Sequence, residues 1–198
     1  DLVRSRGLGD VYKRQLLNYL RCIIEPYSLA IQLSFYLFIR VGETKAIRWE
    51  DIDYNNRLVY LHRQATCERT LNDDLTFSSR KVKVVNQMKG NTSHGFRKQF
   101  LTDEALKILH KAKELNPNGI YVFEPNGEIM TTDSFNRRLK KYCKEAGVPY
   151  HSSHKIRFYN ASTAFDGNNL TTLSYLMGHS ETCLLYTSDA ADEEDSVD

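Results

Sequence analysis

The sequence predicts an α+β domain that is mainly helical and carries a small antiparallel β-sheet. Apolar residues recur at helical spacing in several segments, and two of these segments open with a threonine that can cap a helix. β-Branched alternation is confined to short stretches near the middle, such as RKVKVV. The chain has 198 residues, 41% of them hydrophobic, which is enough for one domain with its own core.

Composition argues against several classes of protein. No run of about 18 apolar residues occurs, so the sequence predicts no transmembrane helix and no membrane partner. Residues 1–15 lack the apolar centre of a signal peptide. The four cysteines form no CxxC pair, which predicts neither a zinc site nor a disulfide framework and favours a reducing, cytoplasmic location.

The first half of the chain predicts helices followed by strands. Residues 16–24 are predicted to be helical, and Pro26 can open a second helix that leads into the apolar run 29–39. Gly42 and Glu43 indicate a break and a new first turn, where a carboxylate suits the helix dipole. Strands are predicted in NNRLVYLHRQ, RKVKVVNQM and FRKQFL, with a polar insertion, TCERTLNDDLTFSSR, before the second and a turn, KGNTSHG, before the third.

The second half predicts helices around one more strand. Thr102 caps a helix with acidic residues in its first turn, and GIYVF reads as a short strand. TTDSFNRRLKKYCKEAG predicts a second capped helix that ends at Gly147. Two further helices are predicted to begin near His154 and Asn169.

The two ends of the chain share an unusual relation. Asp-Val-Tyr-Lys-Arg-Gln, residues 10–15, is encoded by GATGTGTATAAGAGACAG, and a shifted frame of its reverse complement encodes Cys-Leu-Leu-Tyr-Thr-Ser, residues 183–188. This DNA resembles a transposon-end adapter of sequencing libraries, so residues 1–15 and 183–198 are predicted to be non-native and to make few packed contacts. The remaining domain, 16–182, carries 23 Lys/Arg and 17 Asp/Glu, a net charge of +6 against +2 for the whole chain. A basic domain is compatible with nucleic-acid binding but does not establish it.

Four separated segments carry the candidate chemistry. They are RVGE at 40–43, MKGNTSHG with Lys89, HKIR with His154 and Arg157, and LMGHS with His179. In this order they resemble the tyrosine recombinase, or phage integrase, family over nearly all of residues 16–182. The resemblance implies a recombinase-like catalytic domain that cleaves and rejoins DNA through a phosphotyrosine intermediate, without metal or cofactor. It also implies double-stranded DNA as the partner, and a tetramer on DNA for the full-length parent.

The chemistry explains why such residue types are needed. Attack on a phosphodiester builds negative charge on the non-bridging oxygens, which two guanidiniums can hold with paired hydrogen bonds. Arg40 and Arg157 are the candidates, with Glu43 orienting Arg40. The resemblance assigns Lys89 to protonate the leaving 5′ oxygen, and His154 and His179 to hydrogen-bond the transition state. Each could instead be an ordinary turn, capping or core residue.

The position of the candidate nucleophile departs from the family pattern. The family uses a tyrosine about nine or ten residues after the GHS histidine, whereas Tyr186 follows His179 by seven residues and lies in the adapter-like tail. We therefore expect Tyr186 not to be catalytic, the genuine tyrosine to have been lost, and this chain to be inactive. Phe38 and Ile39 also stand where the family has a small Thr-Gly pair, and Phe158 where it often has a basic residue, which indicates a divergent member.

Two other readings remain open. A non-catalytic DNA-binding relative would use the basic helix that bears Arg137, Arg138 and Lys141, although a charged helix face is more often simply solvated. A type IB topoisomerase-like enzyme shares the chemistry, but the small size and the GHS motif disfavour it. The parent gene's tyrosine position would separate the enzyme from the binding module.

Overall fold

The fold was analysed in a computed structural model of the chain, which describes residues 2–69, 71, 75–76, 78, 81–86, 97–164 and 170–177. Seven α-helices and five strands lie in these ranges. The helices are α1 (Leu2–Leu20), α2 (Pro26–Ser34), α3 (Val41–Ala46), α4 (Asp103–Leu115), α5 (Thr132–Glu145), α6 (Ser153–Ala164) and α7 (Leu170–Met177). The strands are β1 (Ile52–Asp53), β2 (Leu58–Leu61), β3 (Gln64–Glu68), β4 (Lys81–Val85) and β5 (Arg97–Phe100).

Helix α2 lies at the centre of the helical layer. Residues 28–34 are all buried, and α1, α3, α4, α5 and α6 pack around this helix. Two of its polar side chains cap the C-terminal end of α1: Ser28 Oγ and Gln32 Nε2 both donate to the Leu20 carbonyl, at 3.0 and 3.1 Å. A helix buried on all sides presents no face to solvent, which is why apolar residues dominate every side of it in the sequence.

Helices α4 and α5 begin where the sequence predicts. Thr102 and Thr131 each accept a hydrogen bond from the backbone N–H three residues on, from Ala105 and Ser134. Gly147 follows the end of α5 with a φ of 67°, a left-handed conformation that glycine adopts without strain. Lys45 of α3 is fully buried, and its Nζ donates to Thr132 Oγ1 at 2.8 Å, which joins α3 to the first turn of α5.

The strands form two small antiparallel sheets rather than one. β2 lies between β1 and β5, with Val59 opposite Gln99, while β3 and β4 pair separately, with Ala65 opposite Val84. β3 includes the start of the polar insertion, which the sequence did not predict as a strand. Pairing with β4 explains it, since the cross-strand ion pair of Glu68 with Lys83, at 3.0 Å, stabilises polar residues in an exposed hairpin.

The predicted strand GIYVF is wrong. The structure has only an isolated bridge between Arg48 and Tyr121 in this segment. Side chains replace the missing ladder: Asn116 Nδ2 donates to the Tyr121 carbonyl at 2.9 Å, and the Tyr121 N–H donates to Glu124 Oε1 at 3.0 Å. Val122 is nevertheless buried, so the apolar residues that suggested a strand serve as core anchors.

The N-terminal segment also departs from expectation. Residues 9–15 belong to α1. Tyr12 packs against the main core, although we predicted few contacts for 1–15, while Asp10, Val11, Arg14 and Gln15 are exposed. The Tyr12 ring lies 6.5 Å from that of Phe35, and its hydroxyl is 3.6 Å from Cys143 Sγ. Burial raises the pKa of Tyr12 well above its usual range. The reason is periodicity, since Tyr12 lies one turn before Leu16 on the buried face of one continuous helix. Residues 183–198 lie outside the described residues.

None of the helices in the described part of the chain is long and apolar enough to cross a bilayer.

Candidate functional site

Glu43 is the centre of the candidate site. It occupies the third position of α3, where its carboxylate reaches back to the start of the helix: the Arg40 N–H donates to Oε2 at 2.7 Å and Arg40 Nη1 to Oε1 at 3.2 Å. The Glu43 side chain is fully buried, whereas that of Arg40 is 34% exposed. The helix cap therefore holds Arg40 at the surface, with its backbone N–H and its guanidinium both bonded to a buried carboxylate.

Arg97 of β5 binds the same carboxylate. Its Nη1 and Nη2 donate to Glu43 Oε1 and Oε2 at 2.9 and 2.6 Å, and neither side chain is exposed. Burial alone would raise the pKa of Glu43, but Arg97, Arg157 and Arg40 together hold that pKa below its usual range. At neutral pH Glu43 is thus a buried anion that orders the guanidiniums around it.

Arg157 of α6 is the third guanidinium. It is 3% exposed, and its Nη2 donates to the Met177 carbonyl at the end of α7. Within the described part of the chain, its buried Nε has no hydrogen-bond partner. Burial and the neighbouring charge of Arg40 lower the pKa of Arg157 to about 9, so a bound anion would relieve an unfavourable environment. Three guanidiniums around one carboxylate leave a local charge of +2, which suits a phosphate.

Strand β5 buries two polar residues and exposes its aromatic one. Arg97 and Gln99 face inward, whereas Lys98 and Phe100 face outward. Phe100 is 57% exposed and lies under the Arg57 guanidinium, whose Cζ is 5.2 Å from the ring centroid. We predicted the strand but not Arg97 or Gln99 as site residues. RKQF shows no alternation of polar and apolar residues, so the sequence alone gives no sign that Arg97 and Gln99 face inward.

The C-terminal end of α7 is held by three of these buried side chains. The Leu176 carbonyl accepts from Arg97 Nε at 2.9 Å and from Gln99 Nε2 at 2.7 Å, while Met177 accepts from Arg157. The last carbonyls of a helix lack intrahelical partners, so these donors satisfy groups that would otherwise be orphaned. The helix end that leads into LMGHS is therefore fixed directly to the arginine cluster.

The structure brings some of the predicted site residues together. Arg40, Glu43 and Arg157 share one cluster although they come from distant parts of the sequence. His154 lies on α6 one turn before Arg157 and is exposed. Lys89, His179 and Tyr186 lie outside the described residues. Phe38, which departs from the family pattern, packs with Ala161, Leu173 and Met177 in a small second core.

The predicted DNA-binding residues all lie on α5. Arg138 lies 3.8 Å from Glu25 and its Cζ is 5.3 Å from the Tyr27 ring centroid, so it joins α5 to the start of α2. Lys141 pairs with Glu145 at 3.8 Å along the helix. Arg137 is exposed. The described residues contain no group of three His, Cys, Asp or Glu side chains placed to hold a metal ion.

The described residues form a mainly helical α+β domain in which three arginines surround one buried glutamate. The chain belongs to the phage integrase family, whose sequence profile matches residues 13–191. This confirms the family that the sequence motifs predicted.

Individual relatives agree. A XerC-like tyrosine recombinase of Caldanaerobacter subterraneus subsp. tengcongensis is 28% identical over 174 residues, covering 78% of this chain and 44% of the relative. The XerA recombinase has a similar fold, with a TM-score of 0.67 and 16% identity over 89% of this chain and 55% of that one. The Tn1549 transposon integrase, solved with a circular intermediate DNA, gives a TM-score of 0.63 and 18% identity over 80% of this chain and 52% of that one.

The likeness in fold confirms the predicted recombinase-like α+β domain. The chain spans less than half the length of the curated relative and about half of each solved chain.

Proposed function

We propose that this chain is part of the catalytic domain of a tyrosine recombinase that binds double-stranded DNA and carries out site-specific cleavage and rejoining. The observation that carries the proposal is the cluster of Arg40, Arg97 and Arg157 around Glu43. Family membership and the DNA complex of the Tn1549 integrase support it. By resemblance, the full-length parent acts as a tetramer on its DNA site.

The geometry suits stabilisation of a phosphoryl transition state. The Arg40 side chain is partly exposed and can contact DNA, while Arg157 has a buried Nε–H for which the described residues supply no partner. Negative charge that develops on the two non-bridging oxygens would be met by the Arg40 guanidinium, which Glu43 already orders, and by that of Arg157 once DNA binding uncovers it. Arg97 is screened from the surface and acts by fixing Glu43.

The remaining roles follow from the resemblance. We propose that Lys89 protonates the 5′ oxygen of the leaving strand, and that His154 and His179 hydrogen-bond the phosphate in the transition state. His154 is on the same helix as Arg157 and three residues before it, and its exposed side chain supports a contact with DNA. Neither a metal nor a cofactor is needed for this chemistry.

We further propose that this chain forms no covalent adduct with DNA. Tyr186 follows His179 by seven residues rather than about nine or ten, in a segment whose translation resembles adapter DNA. The family profile extends to residue 191 and so includes Tyr186, which makes a direct test necessary. A tyrosine with an ordinary pKa of about 10 is mostly protonated at neutral pH and needs accurate placement to act as a nucleophile.

DNA binding is tested by fluorescence anisotropy with a labelled duplex over a series of salt concentrations. We expect weak binding that weakens as salt rises, because Lys and Arg contacts to phosphates release counterions. Arg40→Gln should reduce the affinity, whereas Lys107→Gln, which changes an exposed lysine on α4, should leave it nearly unchanged. Binding that is independent of Arg40 would contradict the proposed site.

Covalent chemistry is tested with a nicked suicide duplex followed by denaturing electrophoresis. We expect no protein–DNA band from this chain. A band that disappears in Tyr186→Phe would identify Tyr186 as the nucleophile and refute the proposal about the C-terminus.

The alternative function is a DNA-binding relative that has no strand-transfer activity. Phe38 stands where the family has a small residue and packs in the second core, which favours a member that has diverged from the family pattern. If a parent sequence with a tyrosine about nine residues after His179 also gave no covalent band, the binding module would be the better description.

A further inference from the structure

Gln99 joins the two segments that carry the site arginines. It is 2% exposed, and both ends of its amide are used. Its Oε1 accepts from the Phe38 N–H at 2.9 Å, and its Nε2 donates to the Leu176 carbonyl at 2.7 Å. Among natural side chains of this length, only an amide supplies a neutral acceptor and donor together.

Each bond is close to one of the arginines. Phe38 lies two residues before Arg40, and Leu176 is adjacent to Met177, whose carbonyl accepts from Arg157. Arg97, on the same face of β5, contacts the same two segments through the Phe38 and Leu176 carbonyls, at 3.5 and 2.9 Å. Strand β5 is in turn held in register by β2, where Val59 lies opposite Gln99.

We propose that Gln99 is a positioning residue that sets the separation of Arg40 and Arg157, so that both guanidiniums contact one phosphate. This inference rests on the proposed function, because it assumes that the two arginines share an anion. Gln99 does not touch that anion. It fixes the start of the Arg40 segment against the end of α7, and α7 in turn fixes Arg157.

The proposal predicts coupling between Gln99 and Arg40 in anion binding. Inorganic phosphate serves as the probe, and NMR titration of the arginine Nε–H signals gives its dissociation constant, with the Arg157 signal assigned through Arg157→Lys. In the wild-type protein, Arg40→Gln should weaken phosphate binding by about tenfold, the effect of losing one charge-assisted contact. In Gln99→Met, where both amide bonds are lost, the same change should cost less than about threefold.

A purely structural role predicts a different result. Gln99→Met would then lower the urea midpoint, yet Arg40→Gln would still weaken phosphate binding by about tenfold in that background. That outcome would overturn the proposal and leave the proposed function standing. If wild-type phosphate binding did not depend on Arg40, the shared anion site and the positioning role would both be refuted.

Two further variants complete the design. Gln15→Met makes the same chemical change at an exposed position of α1 and should leave the Arg40 effect at its wild-type size. Gln99→Glu keeps the acceptor for Phe38 but loses the donor for Leu176, so it should give an intermediate Arg40 effect. If Gln99→Met does not fold, Gln99→Glu carries the test, and an undiminished tenfold effect there would overturn the proposal.

Discussion

Glu43 is the residue whose replacement should affect this protein most. Glu43→Gln conserves shape but removes the negative charge that faces three guanidiniums. The amide also presents an NH₂ group to Arg97, where the carboxylate had accepted hydrogen bonds of 2.9 and 2.6 Å. We expect the free energy of unfolding to fall substantially and the arginine cluster to lose its order.

The magnitude follows from burial. Glu43 and Arg97 have no exposed side-chain surface, so solvent cannot screen the charges that would be left unpaired. Removing one partner of a buried ion pair costs about 3–5 kcal/mol. In a chain of this size, 1 kcal/mol corresponds to roughly 2–4 °C, so the melting temperature should fall by about 10 °C.

The pH dependence provides a second measure. The pKa of Glu43 is lower in the folded state, so its stabilising contribution is complete above the unfolded pKa, about 4.3, and is lost as pH falls through the folded pKa. The stability difference between wild type and Glu43→Gln should therefore be largest near pH 7 and should shrink below about pH 4.

Urea unfolding followed by circular dichroism measures both effects. Glu128→Gln, at an exposed position after the Pro125 turn, is the matched control and should change stability by less than about 0.5 kcal/mol. A loss below about 1 kcal/mol for Glu43→Gln at pH 7, or a difference that does not shrink in acid, would refute the role given to the buried carboxylate.

Three further predictions test the remaining assignments. Tyr12→Ala should lower the free energy of unfolding by about 3 kcal/mol in urea titrations, because it leaves a cavity against Phe35. A neutral result would show that α1 before Leu16 is not part of the core. Arg138→Ala should cost up to about 1 kcal/mol of stability through lost contacts with Glu25 and Tyr27, while Arg137→Ala should leave the melting temperature unchanged. Lys45→Met should leave the free energy of unfolding unchanged or raise it by about 1 kcal/mol in the same titrations, since it removes an ammonium that is costly to bury, as its lowered pKa shows. A large loss of stability would show that the hydrogen bond to Thr132 contributes more than desolvation costs.

Local signals in the sequence were sufficient for most of the elements. Thr102 and Thr131 mark helix starts because capping depends on residues within three positions. The same holds for Gly147, which terminates α5 through its own φ. Strands were predicted less well, because strand pairing depends on residues that are distant in sequence. β3 forms only through its pairing with β4, and GIYVF has no partner strand among the described residues.

The candidate site was only partly predictable. Arg40 and Arg157 stand in recognisable motifs, so their meeting could be anticipated from the chemistry. Arg97 and Gln99 stand in no motif, and their roles depend on carbonyls of α7 that lie more than seventy residues away in sequence. The packing of Tyr12 was not anticipated, because the codon argument says nothing about whether a residue can extend a helix and fill a space in the core.

The buried Arg97 and Gln99 of β5 have a consequence for folding kinetics. A slip of one residue against β2 would turn Phe100 inward, but it would also turn Lys98 inward and Arg97 outward, so hydrophobicity within the sheet does not select the alignment. The correct alignment is selected from outside the sheet, by the Glu43 carboxylate of α3 and the Leu176 carbonyl of α7. Pairing of β2 with β5 should therefore become committed only after these helices have docked, late on the folding pathway. Stopped-flow refolding should slow in acid, where protonated Glu43 no longer distinguishes the two alignments, and a rate independent of pH would show that the sheet aligns itself.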